Sequence, residues 1–213
     1  MPDTKFSNLT AATTAADANE FAINEAGTSK KLTGVLLKSY VTASPLKPTA
    51  ALYETFPRSG STTGPVVATL TTGKMILQAI HLPVDTTVTN IVFVSSNVAA
   101  VSPTNWWFAL YDSARALLRQ TADQTTTAWG ASTIKTVALT SPFVTTYSGL
   151  HYIGESMVAS TVNNLIGLSA SQTLGGLAPV LFGATSDTGL TTTAPATAGA
   201  ITTTGFQVYA YVS

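Results

Sequence analysis

The chain has 213 residues, of which ten are acidic and ten basic, so its formal net charge is zero, and only 9% of its residues are charged. Nucleic-acid binding needs clustered lysine and arginine, and only Lys30 and Lys31 are adjacent, so a nucleic-acid partner is not expected. The most apolar runs, such as residues 91–94, are far shorter than the ~20 residues of a membrane helix, and the lack of cysteine excludes disulfides and thiolate chemistry.

The first 44 residues predict a small arm rather than a domain. Residues 20–24 alternate like a strand, residues 24–28 contain turn formers, and residues 29–32 predict a return strand. Thr33 then provides an N-cap for a short helix over residues 34–40. Because a hairpin and one short helix cannot bury a core alone, the arm is expected to dock on a partner.

The docking and assembly candidates of this arm are mostly its large apolar and aromatic residues, together with the glycine of the turn. They are Phe6, Leu9, Phe21, Ile23, Gly27, Leu32, Leu36 and Tyr40. Residues 45–65 follow as a linker rich in proline and glycine, in which Pro45 and Pro48 end the helix and stiffen the chain. The main domain is predicted to cover residues 66–213.

Short β runs separated by turn formers fill this main domain. They lie at residues 66–70, 75–82, 88–95, 106–112, 116–121, 134–139, 150–159, 164–169 and 206–212. Strands of this length and spacing, without a long helix, are typical of an antiparallel sandwich, and their number favours a jelly-roll-like one. Residues 170–205, rich in glycine, threonine and alanine, are predicted to form a long loop.

No residue pattern predicts a catalytic, metal or cofactor site. His81 and His151 each lie in a strand-like run without a partner at metal-ligand spacing. His151 and Glu155 share one strand face, but four residues of strand separate them by roughly 13 Å, too far for an acid/base pair. The interpretation is therefore a protein that is not an enzyme and that needs no cofactor.

Aromatic residues are the most distinctive apolar feature of the main domain. In a strand, Trp106, Phe108 and Leu110 share the face that we expect to fill the sandwich core. Trp107 and Tyr111 take the opposite face, and Trp129 follows in a later loop. Trp107, Tyr111 and Trp129 are therefore candidates for a flat platform that binds a sugar ring or a neighbouring subunit.

Two segments carry a resemblance to known proteins. Residues 20–33 with 36–40 resemble the short N-terminal motif of many bacteriophage tail-fibre, head-fibre and minor structural proteins, where it serves in docking. Residues 103–112 with 120–129 are similar to β-domains in structural proteins of actinobacterial phages. Neither motif brings catalytic residues.

The resemblance implies a structural protein of the virion surface, made in the cytoplasm of the host bacterium. We expect a homotrimer whose arm binds the major capsid protein or another virion protein, as in a capsid decoration protein or a short head fibre. The alternative is a tail fibre or receptor-binding protein whose β-domain binds carbohydrate of the host surface.

Overall fold

The computed structural model describes residues 20–25, 28–33, 48–57, 70–169 and 182–213. The chain divides into two compact units, Met1–Pro45 and Leu46–Ser213. The described residues form strands and connecting loops without a helix, and every strand pair among them is antiparallel. Accordingly, no helix in these ranges is long and apolar enough to cross a bilayer.

The first unit contains a two-stranded hairpin. Strand β1 (Glu20–Glu25) pairs with β2 (Thr28–Thr33), and the register places Phe21 opposite Leu32 and Ile23 opposite Lys30. The predicted helix over residues 34–40 lies outside the described residues, as do five of the docking candidates: Phe6, Leu9, Gly27, Leu36 and Tyr40.

Twelve strands occur in the described part of the second unit. They are β3 (Tyr53–Glu54), β4 (Met75–Leu82), β5 (Thr87–Val94), β6 (Asn105–Tyr111), β7 (Leu117–Gln120), β8 (Ile134–Val144), β9 (Gly149–Val158), β10 (Gly167–Ser169), β11 (Gly183–Ser186), β12 (Thr202–Thr203), β13 (Phe206–Val208) and β14 (Ala210–Val212). One sheet has the order β12-β11-β4-β9-β6-β7, a second has the order β3-β14-β5-β8, and β10 pairs with β13. The prediction of a mainly β, antiparallel fold is confirmed.

One hydrophobic cluster joins the six-stranded sheet to the four-stranded sheet. Ile76, Phe108 and Ile153 come from the six-stranded sheet, whereas Phe93 and Val212 come from the four-stranded sheet. Successive side chains of a strand point to opposite faces, so each of these strands turns alternate residues inward. Two layers packed around one such core form a β-sandwich.

The outer face of the six-stranded sheet is covered by the chain that follows β11. Its apolar residues include Leu77, Trp107 and Tyr111, and they pack with Ala194 and Ala198 of that covering chain. The prediction of one long loop over residues 170–205 is therefore wrong for β11 and β12, which pair with the sheet. Both strands are too short and too rich in glycine, alanine and threonine to show a clear period.

Residues 48–57, which the sequence assigns to a linker, instead belong to the sandwich. Strand β3 pairs with β14, while Ala51 and Phe56 pack with Tyr209 and Tyr211 on the outer face of the four-stranded sheet. Two paired residues give no periodic signal, so the prolines and glycines around them dominate the sequence pattern.

The strand predicted over residues 206–212 divides into β13 and β14. The division occurs at Tyr209, whose N–H donates to the Ile166 carbonyl, while the two strands pair with different partners. Close backbone approach accompanies this change, because a Cβ on Gly167 would lie 2.2 Å from the carbonyl oxygen of Gln207. Only glycine fits at such a contact.

Candidate functional site

The three docking candidates inside the described hairpin occupy neighbouring register positions. Phe21 lies directly opposite Leu32, and Ile23 follows two residues further along β1. The three residues are therefore close together along one two-stranded ribbon. The role of these residues in docking stays a prediction.

The proposed aromatic platforms are not at the surface. Trp107, Tyr111 and Trp129 are each 0% exposed, so the expectation that their rings offer a flat surface to a sugar or a neighbouring subunit is wrong. The Trp107 indole N–H donates to the Thr191 carbonyl, and the Tyr111 hydroxyl donates to the Pro195 carbonyl. The sequence pattern missed the burial of Trp107 and Tyr111 because the chain that covers the outer face is distant in sequence, and it missed that of Trp129 because this loop residue packs in the inter-sheet core.

The core role predicted for Trp106, Phe108 and Leu110 is confirmed, because all three lie in the inter-sheet cluster. The Trp106 ring lies 5.2 Å from that of Trp129 and 5.6 Å from that of Phe108, in tilted geometries favourable for aromatic pairs. Trp129 thus fills one end of the core.

Three buried polar side chains lie on the inner face of β4 and β9, and we call them the inner polar row: Gln78, His151 and Glu155. Ile153 and Met157 of β9 face the inter-sheet core, so alternation places His151 and Glu155 on that same face. Gln78 pairs directly with Ile153 and is thus a diagonal neighbour of both. All three side chains are at most 1% exposed.

Each member of the row has one polar atom without a hydrogen-bond partner among the described residues: Nε2 of Gln78, Nε2 of His151 and Oε1 of Glu155. The Gln78 Oε1 atom accepts from the backbone N–H of Val208, which crosses from the six-stranded sheet to β13. A buried polar atom without a partner is costly, so the bonds that Gln78 and His151 make compensate only part of the row.

His151 is held as a neutral imidazole. Its Nδ1 lies 3.1 Å from the Gly149 carbonyl oxygen, to which it donates, so Nε2 carries the lone pair. The ring stacks on Tyr147, with 4.4 Å between centroids and 11° between planes. Burial lowers the pKa of His151, although the Gly149 hydrogen bond and the charge of Asp112 act in the opposite direction.

Glu155 is held as a neutral acid. Burial alone raises the pKa of its carboxyl to about 8, so at neutral pH the group is mostly protonated. A perturbed carboxyl is often a mark of an active site. Here it lies inside the core, and no group of three or more His, Asp or Glu side chains in the described ranges is placed to hold a metal ion.

A cleft of about 360 Å³ lies at the edge of the sandwich where β11 begins. It is lined by Thr55, Ala79, Ile80, His81, Leu150, Phe182 and Gln207. Phe182 is 37% exposed, and His81 is exposed on the face of β4 opposite to Gln78. The cleft therefore brings together an aromatic edge, a neutral amide and an imidazole. Its lining residues include no carboxylate or lysine, which a charged ligand would require.

Sequence reasoning identified His81, His151 and Glu155 but missed Gln78 and Phe182. Strand alternation indicates which residues of one strand share a face. The neighbours of those residues on the adjacent strand follow only from the pairing register. A buried Gln in the apolar run Met75–Leu82 was the available signal for Gln78. Phe182 had none, because its position depends on the pairing of β11.

No protein-family model matches the chain, and no curated protein is similar enough to it to count as a relative.

Proposed function

We propose that this chain is a non-enzymatic structural protein of a bacteriophage virion, a capsid decoration protein or short head fibre that is anchored through residues 1–44. Its copies assemble as a trimer, and the anchor binds the major capsid protein or another protein of the particle. The sandwich then projects from the virion surface.

The observation that carries this proposal is the contrast between the two units. Of the first unit, the described residues form a hairpin with strands of six residues, and an isolated two-stranded hairpin is at best marginally stable in water. Such a segment becomes stable by packing on another surface. At about 25 cal/mol per Å² of apolar area, a few hundred Å² per arm contributes several kcal/mol, and three arms multiply the effect.

Composition and topology support the same proposal. A protein with zero net charge and 9% charged residues has little electrostatic protection against association, which suits a chain immobilised in an assembly. Successive strands from β4 to β9 cross repeatedly between the six-stranded and four-stranded sheets. Such crossings favour a jelly-roll-like sandwich, a class common in viral particles.

A binding experiment tests the anchor. Purified protein is added to particles that lack it, and the bound fraction is compared between the wild type and the double variant Phe21→Ser, Leu32→Ser. We expect the double variant to lose most of its binding, because it removes apolar surface at two paired positions of the hairpin. The matched control, Asn24→Ala with Ser29→Ala, changes another opposed pair and should bind like the wild type. Equal binding by all three proteins would contradict an anchor in the hairpin.

The edge cleft favours one second candidate, a tail fibre or receptor-binding protein that binds host-surface carbohydrate. An exposed aromatic edge beside an imidazole and an amide suits the apolar face and hydroxyls of a neutral sugar. A glycan array with the wild type and Phe182→Ala tests this candidate. Specific binding that is lost in Phe182→Ala and kept in Val84→Ala, an exposed apolar residue outside the cleft, would favour the receptor-binding role over decoration.

A further inference from the structure

The inner polar row places a neutral acid and a neutral base in the layer that holds the two sheets together. Most polar side chains in protein cores have their hydrogen bonds satisfied, whereas each member of this row leaves one atom without a partner in the described part of the chain. Such a row destabilises the sandwich once either titratable member becomes charged, because a buried charge without a partner is far more costly than a buried neutral group.

We propose that the inner polar row makes the sandwich a pH-sensitive structure, which stays closed while Glu155 and His151 are both neutral and opens when either becomes charged. The device belongs to the sandwich itself and acts wherever the sandwich is attached. It is therefore independent of the virion role proposed above.

The surroundings of Glu155 give its charged form no compensation. Ile76 of β4 and Phe108 of β6 lie directly opposite it on the two neighbouring strands. The next residues on the same inner face of β4 and β6 are Gln78, Trp106 and Leu110, and the inter-sheet cluster here includes Phe93 and Ala210 of the four-stranded sheet. None of these side chains titrates, and burial is the one cause of the raised pKa of Glu155.

His151 lies at the other end of the row, with more polar surroundings. His151 lies directly opposite Ile80 of β4. The exposed His81 follows Ile80 in the chain and lies on the opposite face of the sheet. Burial is the largest cause of the lowered pKa of His151. The Gly149 hydrogen bond and the charge of Asp112, which follows β6, act against it, His81 adds to it, and Tyr147 covers the ring. Burial outweighs these charges, so the neutral imidazole is favoured in the folded protein.

The alkaline limb of the proposed behaviour comes from Glu155. Its pKa is about 8 in the folded protein, against the ordinary pKa of 4.5 for an unperturbed glutamate. Between these two values the unfolded chain has lost a proton that the folded chain keeps, so the free energy of unfolding falls as the pH rises. For one proton, the equilibrium constant of unfolding then rises by up to about tenfold for each pH unit.

The acid limb comes from His151 and has the opposite sign. Its pKa in the folded protein lies below the ordinary histidine value of 6.5, so below pH 6.5 the unfolded chain binds a proton that the folded chain does not. Stability is therefore lost as the pH falls through this range. Below pH 6.5 the two contributions oppose each other, because the stability lost through His151 is offset by the stability regained through Glu155 as the pH falls towards 4.5.

Two variants with matched controls separate the limbs in thermal unfolding across pH at constant ionic strength. Glu155→Gln keeps the shape and removes the charge, and His151→Phe keeps a ring against Tyr147. The controls are Glu54→Gln and His81→Gln, which change the same residue types outside the row. We expect Glu155→Gln to remove the component of stability that is lost as the pH rises above 4.5, and His151→Phe to remove the component that is lost as the pH falls below 6.5. Glu54→Gln should follow the wild type, whereas His81→Gln should keep the acid limb at a reduced amplitude, because His81 lowers the pKa of His151.

Carbon-13 nuclear magnetic resonance of the wild type gives a second test that does not need a folded variant. The chain contains four glutamates and two histidines, so each side-chain titration can be followed separately. We expect one glutamate carboxyl to titrate near pH 8 and one histidine to titrate below 6.5. The proposal is overturned if all four carboxyls titrate near 4.5, or if Glu155→Gln and the wild type unfold with the same dependence on pH.

Discussion

The hairpin of residues 20–33 and the sandwich of the second unit hold their strands in different ways. In the hairpin, six residues of β1 pair with six of β2, and no further strand of the described residues joins this sheet. In the sandwich, three hydrophobic clusters cover the inner and outer faces of the sheets. If the arm docks as proposed, substitutions in the sandwich should change unfolding without changing what the arm binds.

The largest effect on stability is expected at the aromatic end of the core. Trp106→Ala removes a ring that is 1% exposed and packs on Phe108 and Trp129. We expect a loss of about 3–5 kcal/mol in the free energy of unfolding, measured by chemical denaturation. A loss below about 1 kcal/mol would contradict the packing described for this residue.

Two milder substitutions test the contribution of the Trp106 hydrogen bond. The Trp106 indole N–H donates to the Thr127 carbonyl at 2.8 Å, whereas the Trp129 indole N–H has no partner in the described ranges. Trp106→Phe should therefore cost more than Trp129→Phe, by about 1 kcal/mol, because only the first breaks a hydrogen bond. The reverse order in denaturation would show that Trp129 has a bond the structure lacks.

The next largest effect is expected where β10 meets β13. Gly167→Ala would place its Cβ 2.2 Å from the backbone oxygen of Gln207, so one of the two strands must move. We expect a loss of about 1–3 kcal/mol in thermal or chemical unfolding. Gly205→Ala is the control, since nothing lies within 4 Å of a Cβ at this position. This variant should be as stable as the wild type or slightly more stable.

A smaller effect tests the place of residues 48–57 in the sandwich. The Thr55 hydroxyl lies 2.9 Å from the Val208 carbonyl and accepts from the Ala210 N–H at 3.1 Å. Thr55→Val should cost about 1–2 kcal/mol, because it leaves buried backbone groups without a partner. Thr136→Val, on the exposed face of β8, should change stability by less than about 0.5 kcal/mol. Equal effects would indicate that residues 48–57 are a linker after all.

Residue patterns were sufficient for four long strands of the sandwich, but not for the longest, β8, whose predicted range of 134–139 ends five residues early. Strand β4 has the predicted bounds, and β5, β6 and β9 begin or end within one residue of theirs. These strands are seven to ten residues long, so their pattern is strong. The inward position of Trp106 and Phe108 followed from the same alternation.

Features that depend on distant parts of the chain were not predictable in this way. Trp107 and Tyr111 looked like exposed platforms because alternation gives the face of a strand but not what covers that face. The neutral state of Glu155 depends on Ile76 and Phe108, which reach it through strand pairing. Strand order and register come from long-range packing, and single-sequence patterns fix them poorly.

The most direct test of the proposed role is cryo-electron microscopy of phage particles that carry either the whole chain or a variant that lacks residues 1–44. The account predicts sandwich density on the capsid surface for the whole chain. For the truncated chain it predicts bare capsids, although the purified truncated protein should still unfold cooperatively at the temperature of the whole chain. Sandwich density on capsids that carry the truncated protein would contradict the account.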